Sequence, residues 1–270
     1  MKKSLLVCIA FHYNPDRVQY LTKVLSSFIN EYECTKHIII DTNVESLPPE
    51  CTLNNHPDIE VVSHTSMEHP FHTTWFHRGH MKRNIDNYEN FFYLEDDMYV
   101  PYKNYLNYLD NFRLLWPNHV PSFVRIEEFN GDRYITDATE RQHANPVQIC
   151  GKWFCNLKNP YHAFWIMPQK ELKETLIEDF IRTSDSRVTA ASYPMWELNK
   201  EPVVELQFEK LVASRELAAS FLMWGLIKKP LVQMDRHSIS ELCYSFHLPN
   251  NYANCPDSIH GKIKPENIFL

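Results

Sequence analysis

The chain has 270 residues, 44% of them hydrophobic and 23% charged, which is ordinary for a soluble globular protein with a sizeable core. The formal net charge of −7 excludes a protein that coats nucleic acid, although a local basic site could still bind a small anion. Only five glycines occur and none lies close to another, which excludes the glycine-rich loops that bind dinucleotides or nucleoside triphosphates. Any nucleotide would therefore be held by a metal ion and by side chains.

The apolar segments are too short to cross a membrane. The N-terminal one covers only residues 5–10, whereas a span needs about 20 residues. The seven cysteines are an odd number in a chain long enough to fold without disulfides, which favours reduced thiols. We therefore expect a cytoplasmic protein with no transmembrane segment.

The first third of the chain alternates strand and helix patterns. Residues 5–10 are continuously apolar, as expected for a parallel strand buried on both faces. Asn14 is a predicted N-cap and Pro15 a first-turn residue of a helix whose apolar residues recur at helical spacing. Further strands are predicted at residues 37–40, 59–63 and 91–94, with a polar helical segment at 77–89.

The rest of the chain has weaker patterns. Pro101 opens a predicted helix with Leu106, Leu109 and Phe112 facing inward. Strands alternating with helices indicate an α/β fold with a mostly parallel central sheet flanked by helices. We predict one domain with two intimately packed halves, residues 1–115 and 116–270. The remaining predicted segments are strands at 122–126 and 162–167, helices at 169–182 and 215–227, irregular segments at 130–160 and 183–203, and an extended C-terminal tail.

The apolar strand pattern at residues 91–94 stops at three consecutive carboxylates, Glu95, Asp96 and Asp97. Neighbouring like charges repel and Asp disfavours strand conformation, so a sheet gains nothing from this acidic triplet. Carboxylates at the carboxyl end of a buried strand suit a hard divalent cation that carries phosphate oxygens. The triplet therefore predicts a metal-assisted enzyme that acts on nucleotide-activated substrates.

Three other predicted strands also end in polar side chains, at the edge where open parallel sheets bind ligands. Because several strand ends carry polar residues, we predict that these residues form one polar site. Taken alone, Asp41 or Asn14 is explained equally well as a helix cap or a turn residue. The residues concerned are His12, Tyr13 and Asn14 after the first strand, Asp41 after the second, and Glu127 with Glu128 after residues 122–126.

A basic segment at residues 77–83 precedes the acidic strand and contains five potential cations, including Arg78 and Arg83. Arginine offers a bidentate fork to phosphate, which favours a role in binding a diphosphate. A solvated basic helix face is the alternative.

The strand that ends in Glu-Asp-Asp, about 95 residues after the start of an N-terminal strand–helix unit, resembles the DxD-type motif of GT-A glycosyltransferases. The Glu-Asp-Asp variant is similar to that of the N-acetylglucosaminyltransferase I branch, and the resemblance extends as a pattern over about residues 4–250. It implies a GT-A fold, a UDP- or GDP-sugar donor, and a Mn²⁺ or Mg²⁺ ion bound directly by Asp97. Glu95 and Asp96 would face the nucleoside and its ribose.

The resemblance also implies roles for residues elsewhere in the donor half. The loop after the first strand would contact the base, and the basic segment would approach the diphosphate. The residues implied are His12, Tyr13, Asn14 and Arg17 for the base, Asp41 nearby, and Arg78 and Arg83 for the diphosphate.

Family members often supply a late histidine as a second metal ligand. His247 fits this role, with His237 as the alternative. An inverting enzyme also needs a carboxylate that deprotonates the acceptor hydroxyl, and Glu216 matches the position of that residue in the family. The alternatives are Glu128, Glu127 and Asp185. A retaining enzyme would not need this base, so both stereochemical outcomes stay open.

The carbohydrate acceptor is expected to stack on aromatic rings, for which Trp153 and Trp196 lie in polar, loop-like segments. Three other functions stay open beside the glycosyltransferase. A sugar nucleotidyltransferase usually has a glycine-rich N-terminal loop, which residues 11–15 do not supply. A metal-dependent hydrolase and a non-catalytic carbohydrate-binding protein of the same fold are the others.

Overall fold

The computed structural model describes residues 4–67, 70–156, 163–175, 230–235 and 238–270. These residues divide into two compact units, one of residues 4–98 with 163–175 and one of residues 99–156 with 230–270. The described strands are β1 (Leu5–Phe11), β2 (Lys36–Thr42), β3 (Ile59–Ser63), β4 (Asn90–Glu95), β5 (Met98–Tyr99), β6 (Val120–Pro121), β7 (Val124–Phe129), β8 (Asp132–Ile135), β9 (Val147–Ile149), β10 (Lys152–Cys155), β11 (Phe164–Pro168), β12 (Pro230–Asp235), β13 (Ser238–Ile239) and β14 (Tyr244–His247). The described α-helices are α1 (Val18–Asn30), α2 (His77–Arg83), α3 (Tyr102–Leu115) and α4 (Gln169–Thr175).

The first unit contains a five-stranded sheet in the order β11-β4-β1-β2-β3. Strands β1 to β4 are parallel, and β11 joins β4 in the antiparallel direction. All residues of β1 and β4 are buried, as expected of continuous apolar strands that are covered on both faces. The predicted α/β class with a mostly parallel sheet is confirmed for this unit.

Helix α1 begins after a short 3₁₀ turn, Pro15–Arg17, and not directly at Pro15. The Asn14 side chain caps that turn, since its Oδ1 accepts a hydrogen bond from the Asp16 N–H at 3.0 Å. Helix α2 ends at Arg83 and does not continue to residue 89. The predicted apolar face of α1 is buried, namely Val18, Leu21, Val24, Leu25 and Phe28.

The second unit contains two sheets. In one, β7 pairs in parallel with β14 and antiparallel with β8. In the other, the order is β13-β12-β10-β9, with β6 beside β12. A buried cluster that includes Ile126, Ile135, Val232 and Ile268 forms the core between these strands. No helix in the described part of the chain is long and apolar enough to cross a membrane.

The prediction that residues 130–160 are irregular is wrong. Strands β8, β9 and β10 lie there, and two hairpins, β7-β8 and β9-β10, turn on two residues each. The turn residues have positive φ angles, 53° at Asn130 and 83° at Gly131, then 48° at Cys150 and 81° at Gly151. Positive φ at both central positions is the turn geometry that matches the twist of paired strands.

Two smaller predictions in the second unit are also corrected. Leu106, expected to face inward, is 39% exposed, whereas Leu109 and Phe112 are buried. The strand expected at 122–126 is β7, which extends through Phe129. Glu127 and Glu128 therefore lie within a strand, with their side chains on opposite faces of it.

Candidate active site

The parallel register of the first unit brings two predicted strand ends together. Ala10 of β1 is paired with Asp41 of β2 on one side and with Glu95 of β4 on the other. Because neighbouring strands lie about 4.8 Å apart, the Cα atoms of Asp41 and Glu95 are separated by roughly 10 Å. The carboxyl edge of this sheet therefore carries acidic groups on both sides of β1.

The acidic triplet is almost completely buried, with exposures of 7% for Glu95, 3% for Asp96 and 5% for Asp97. Arg17, the last residue of the Asn14-capped turn, reaches across to the triplet. Its Nε donates to Asp96 Oδ2 at 2.9 Å, and its Nη2 donates to Asp96 Oδ1 at 2.6 Å and to Asp97 Oδ2 at 2.8 Å. One guanidinium thus holds two adjacent carboxylates, in the fork geometry that arginine favours.

The triplet holds more negative charge than this ion pair compensates. Burial and the charge of Asp97 raise the pKa of Asp96 to about 7, although its bonds to Arg17 act in the opposite direction. Burial lowers the pKa of Arg17, but the bonds to Asp96 and the two acidic charges outweigh it and raise that pKa overall. Buried carboxylate oxygens with excess negative charge are a suitable donor set for Mg²⁺ or Mn²⁺.

A cavity of about 200 Å³ opens beside the triplet. This volume is below the ~300–1,000 Å³ of sites for drug-sized ligands, so it accommodates only part of a nucleotide sugar. Asp97 is not among the lining residues. The lining includes five of the residues predicted to bind the nucleotide and part of a 3₁₀ segment, namely His12, Asn14, Arg17, Glu95 and Asp96 with Ala10, Pro70, Thr73 and Thr74.

The other predicted nucleotide residues lie elsewhere in the first unit. The Tyr13 N–H donates to the Asn43 side chain at 2.7 Å. Arg78 is fully buried, with its guanidinium 3.8 Å from the centre of the Trp75 ring. Arg83 is exposed, and its Nη2 donates to His80 Nδ1 at 2.8 Å. The structure does not place these three among the residues that line the cavity.

Asp41 belongs to a second constellation, which the sequence analysis missed. His64 Nε2 and His80 Nε2 lie 2.7 Å and 2.9 Å from Asp41 Oδ1. One ligand atom from each of the three residues lies within 4.8 Å of the others, so this buried group could hold a metal ion. His64 directly follows β3, a strand-end signal of the same kind that identified Asp41.

In the second unit, Glu127 and His247 form a buried pair. Glu127 is fully buried, and its Oε1 lies 2.5 Å from His247 Nδ1. The same carboxylate accepts hydrogen bonds from three successive backbone N–H groups, those of Asn251, Tyr252 and Ala253. Burial raises the pKa of Glu127, but the bonds from His247 and the backbone outweigh it and lower that pKa below its usual value.

The contact between Glu127 and His247 limits the chemical role that each residue can have. Because Glu127 is engaged on both oxygens, it is poorly suited to take a proton from an acceptor hydroxyl. Donation from Nδ1–H to the carboxylate leaves the lone pair of the His247 ring on Nε2, which is the arrangement of metal-binding histidines.

The remaining predicted residues are dispersed. Glu128 is exposed, and Arg133 Nε donates to it at 3.0 Å. Trp153 lies on β10 and not in a loop, but it is 46% exposed, as an aromatic contact for a sugar should be. Glu216, Trp196, His237 and Asp185 lie outside the described residues.

Comparison with solved structures shows a distant likeness. No protein-family model matches the chain, and no curated protein matches it. Among solved structures, it is similar to the crystal structure of 4-diphosphocytidyl-2C-methyl-D-erythritol synthase, with a TM-score of 0.40 and 12% sequence identity over 72% of this chain and 85% of that chain. A likeness of this strength assigns no function, so the class defined by the structure is a mixed α/β protein with a buried acidic site at the edge of a parallel sheet.

Proposed function

We propose that this protein is a metal-dependent glycosyltransferase of the GT-A type, which transfers a sugar from a UDP- or GDP-sugar to a hydroxyl of a carbohydrate acceptor. The observation that carries the proposal is that two buried carboxylates, Glu95 and Asp96, line one cavity with Arg17 at the carboxyl edge of a parallel sheet. The buried Asp97 is bonded to the same guanidinium. Ligands of open α/β sheets bind at this edge. Two further residues predicted to bind the nucleotide, His12 and Asn14, also line the cavity.

Asp97 is the proposed ligand of Mn²⁺ or Mg²⁺, because its oxygens are hard donors beside other carboxylates. A divalent cation bound there would supply positive charge to the leaving diphosphate. Arg17 holds Asp96 through two bonds and thereby fixes the direction of that carboxylate. His12 and Asn14 give the cavity neutral polar groups that can bind the nucleoside.

His247 is a second proposed metal ligand, since its Nδ1–H contact with Glu127 directs the lone pair to Nε2. For the acceptor, Trp153 is the proposed stacking surface. The proposed base is Glu216, with Glu128 as the alternative, and the base takes the proton from the attacking hydroxyl. Trp196 remains a further proposed acceptor contact.

The donor site is tested by calorimetry with UDP and GDP, in the presence of Mn²⁺ and in the presence of EDTA. We expect one nucleotide to bind only with Mn²⁺, and Asp97→Asn to abolish that binding. Asp110→Asn is the matched control, because Asp110 is exposed and pairs only with Arg113 on the surface of α3 among the described residues. Failure of both nucleotides to bind under every condition would overturn the UDP/GDP donor.

The reaction is tested by measuring the released product. A glycosyltransferase releases UDP or GDP from the sugar nucleotide in an acceptor-dependent manner. A sugar nucleotidyltransferase would instead release pyrophosphate from UTP, GTP or CTP with a sugar phosphate. Release of the nucleoside diphosphate at the same rate without any acceptor would identify a hydrolase.

A further inference from the structure

Three side chains from three elements of the first unit meet around one carboxylate. Asp41 lies on β2, His64 follows β3, and His80 is on α2. The His64 N–H donates to the Thr42 carbonyl at 2.7 Å, and its ring stacks on Phe76 at 3.6 Å with an angle of 9°. The position of the His64 imidazole is therefore held by backbone and packing contacts that do not involve Asp41.

The two oxygens of the Asp41 carboxylate differ in their hydrogen-bond contacts. Both imidazole Nε2 atoms lie against Oδ1 of Asp41, whereas Oδ2, which is buried, has no hydrogen-bond partner among the described residues. An uncompensated buried carboxylate oxygen is costly, and such an atom in a native structure indicates an ion or another ligand. Asp41 itself is only 1% exposed.

We infer that Asp41, His64 and His80 form a metal site for a nitrogen-preferring divalent ion such as Zn²⁺, separate from the acidic triplet. Two imidazoles and one carboxylate are a ligand set of Zn²⁺ and related transition metals, while Mg²⁺ prefers oxygen alone. Tetrahedral ligands at bonds of about 2.0–2.1 Å lie roughly 3.3 Å apart. The contacts of 2.7 Å and 2.9 Å therefore need to widen by only about half an ångström.

Arg83 controls this site through the tautomer of His80. Arginine can only donate, so the contact from Arg83 Nη2 to His80 Nδ1 requires the lone pair on Nδ1 and the proton on Nε2. Metal binding at Nε2 requires the opposite tautomer, and the contact with Arg83 then breaks. Since Arg83 is exposed, it can turn into solvent when the ion binds.

Three protein ligands leave one position of a four-coordinate ion for water or a ligand atom. Side-chain exposure is 21% at His64 and 8% at His80, so His64 forms the solvent-facing side of the site. The site joins β2 to the segments that follow β3 and contain α2. A bound ion is therefore expected to stabilise this edge of the first unit by mass action.

The test uses the full-length protein stripped of metal and titrated with Zn²⁺ against a chromophoric chelator, in excess Mg²⁺. A parallel titration with Co²⁺ records its visible absorption, which reports nitrogen ligands and geometry. We expect one equivalent to bind, with a rise in the melting temperature. His64→Gln and His80→Gln should each weaken binding by more than ~100-fold. His37→Gln is the control, because His37 lies on the same strand as Asp41 but contacts Glu60 and Tyr88, and it should leave Zn²⁺ binding unchanged.

A second pair of variants keeps the test independent of folding defects. Arg83→Gln can accept a hydrogen bond from the Nδ1–H of His80, so it should tighten Zn²⁺ binding by about tenfold. Arg83→Lys still only donates and should resemble the wild type. Absence of Zn²⁺ and Co²⁺ binding, or binding that survives both histidine substitutions, would overturn the inference. Asp97→Asn should leave Zn²⁺ binding at this site unchanged. Failure of the Zn²⁺ inference and failure of the glycosyltransferase proposal can therefore be told apart.

Discussion

Arg17 is a single cation placed against two buried carboxylates, so its removal should expose the repulsion within the acidic triplet. Arg17→Met keeps the aliphatic stem and deletes three charged hydrogen bonds, two to Asp96 and one to Asp97. Loss of one partner of a buried ion pair costs about 3–5 kcal/mol. Because the Arg17 side chain is 32% exposed, solvent screening reduces the expected loss to about 2–3 kcal/mol.

The loss should depend on pH in a defined direction. The pKa of Asp96 is about 7 in the folded protein, against an ordinary value of 3.8. Between these values the folded state binds more protons than the unfolded state, so the contribution of Asp96 to the free energy of unfolding falls as the pH rises. At pH 8 Asp96 is ionised and needs Arg17. At pH 5.5 it is protonated, and Arg17→Met should cost clearly less.

Urea unfolding of wild type and Arg17→Met at the two pH values measures this difference. Arg133→Met is the control, because its partners Glu128 and Glu241 are exposed and such pairs contribute about 0–1 kcal/mol. Mn²⁺ at about 100 times its dissociation constant should restore roughly 2.7 kcal/mol at pH 8. An equal loss at both pH values would refute the reasoning, since Arg17 would then stabilise through packing and not through charge.

Three further changes test other parts of the molecule. Glu127→Gln should lower the free energy of unfolding by about 2–3 kcal/mol in urea, because it removes the charge and replaces one of the two oxygens that accept four hydrogen bonds with an NH₂ group that can only donate. Glu128→Gln, at an exposed site, should change it by less than about 0.5 kcal/mol, and similar values for the two would contradict the assigned role of Glu127. Trp153→Ala should raise the KM for the acceptor several-fold without lowering the melting temperature, and an unchanged KM would remove it from the acceptor site. Gly131→Ala should cost about 1 kcal/mol, because φ is 83° in that turn, and a neutral result by thermal unfolding would contradict the hairpin geometry.

The sheet of the first unit was predictable because its strands are continuous apolar runs, a local pattern that needs no knowledge of the fold. The same logic correctly brought Asp41 and Glu95 to one edge, since parallel strands end on the same side. The hairpin at Asn130-Gly131 was predictable too, from a dipeptide that favours two-residue turns, but the polar strands around it concealed the signal.

The arrangement of Asp41, His64 and His80 around one carboxylate could not be predicted in the same way. It depends on the register between β2 and β3 and on the angle at which α2 packs, neither of which is encoded in local spacing. Glu127 is a similar case. Its neighbours at residues 251–253 follow it by more than 120 positions, so only the tertiary structure shows that its two oxygens are occupied.

The attachment of the acidic triplet to β4 has a consequence for how the protein could evolve. β4 lies between β1 and β11, and the N–H groups of Glu95 and Asp96 donate to the carbonyls of Ala163 and Ala10. The backbone of Glu95 and Asp96 is thus fixed by its neighbours, which limits how far their carboxylates can separate to relieve their repulsion. A neutral amide at Asp96 would relieve the repulsion from Asp97 but would weaken the two bonds from Arg17, so its two effects on stability oppose each other. Evolution at this position is therefore coupled to Arg17 and Asp97, because a change of charge at either one alters the balance at Asp96.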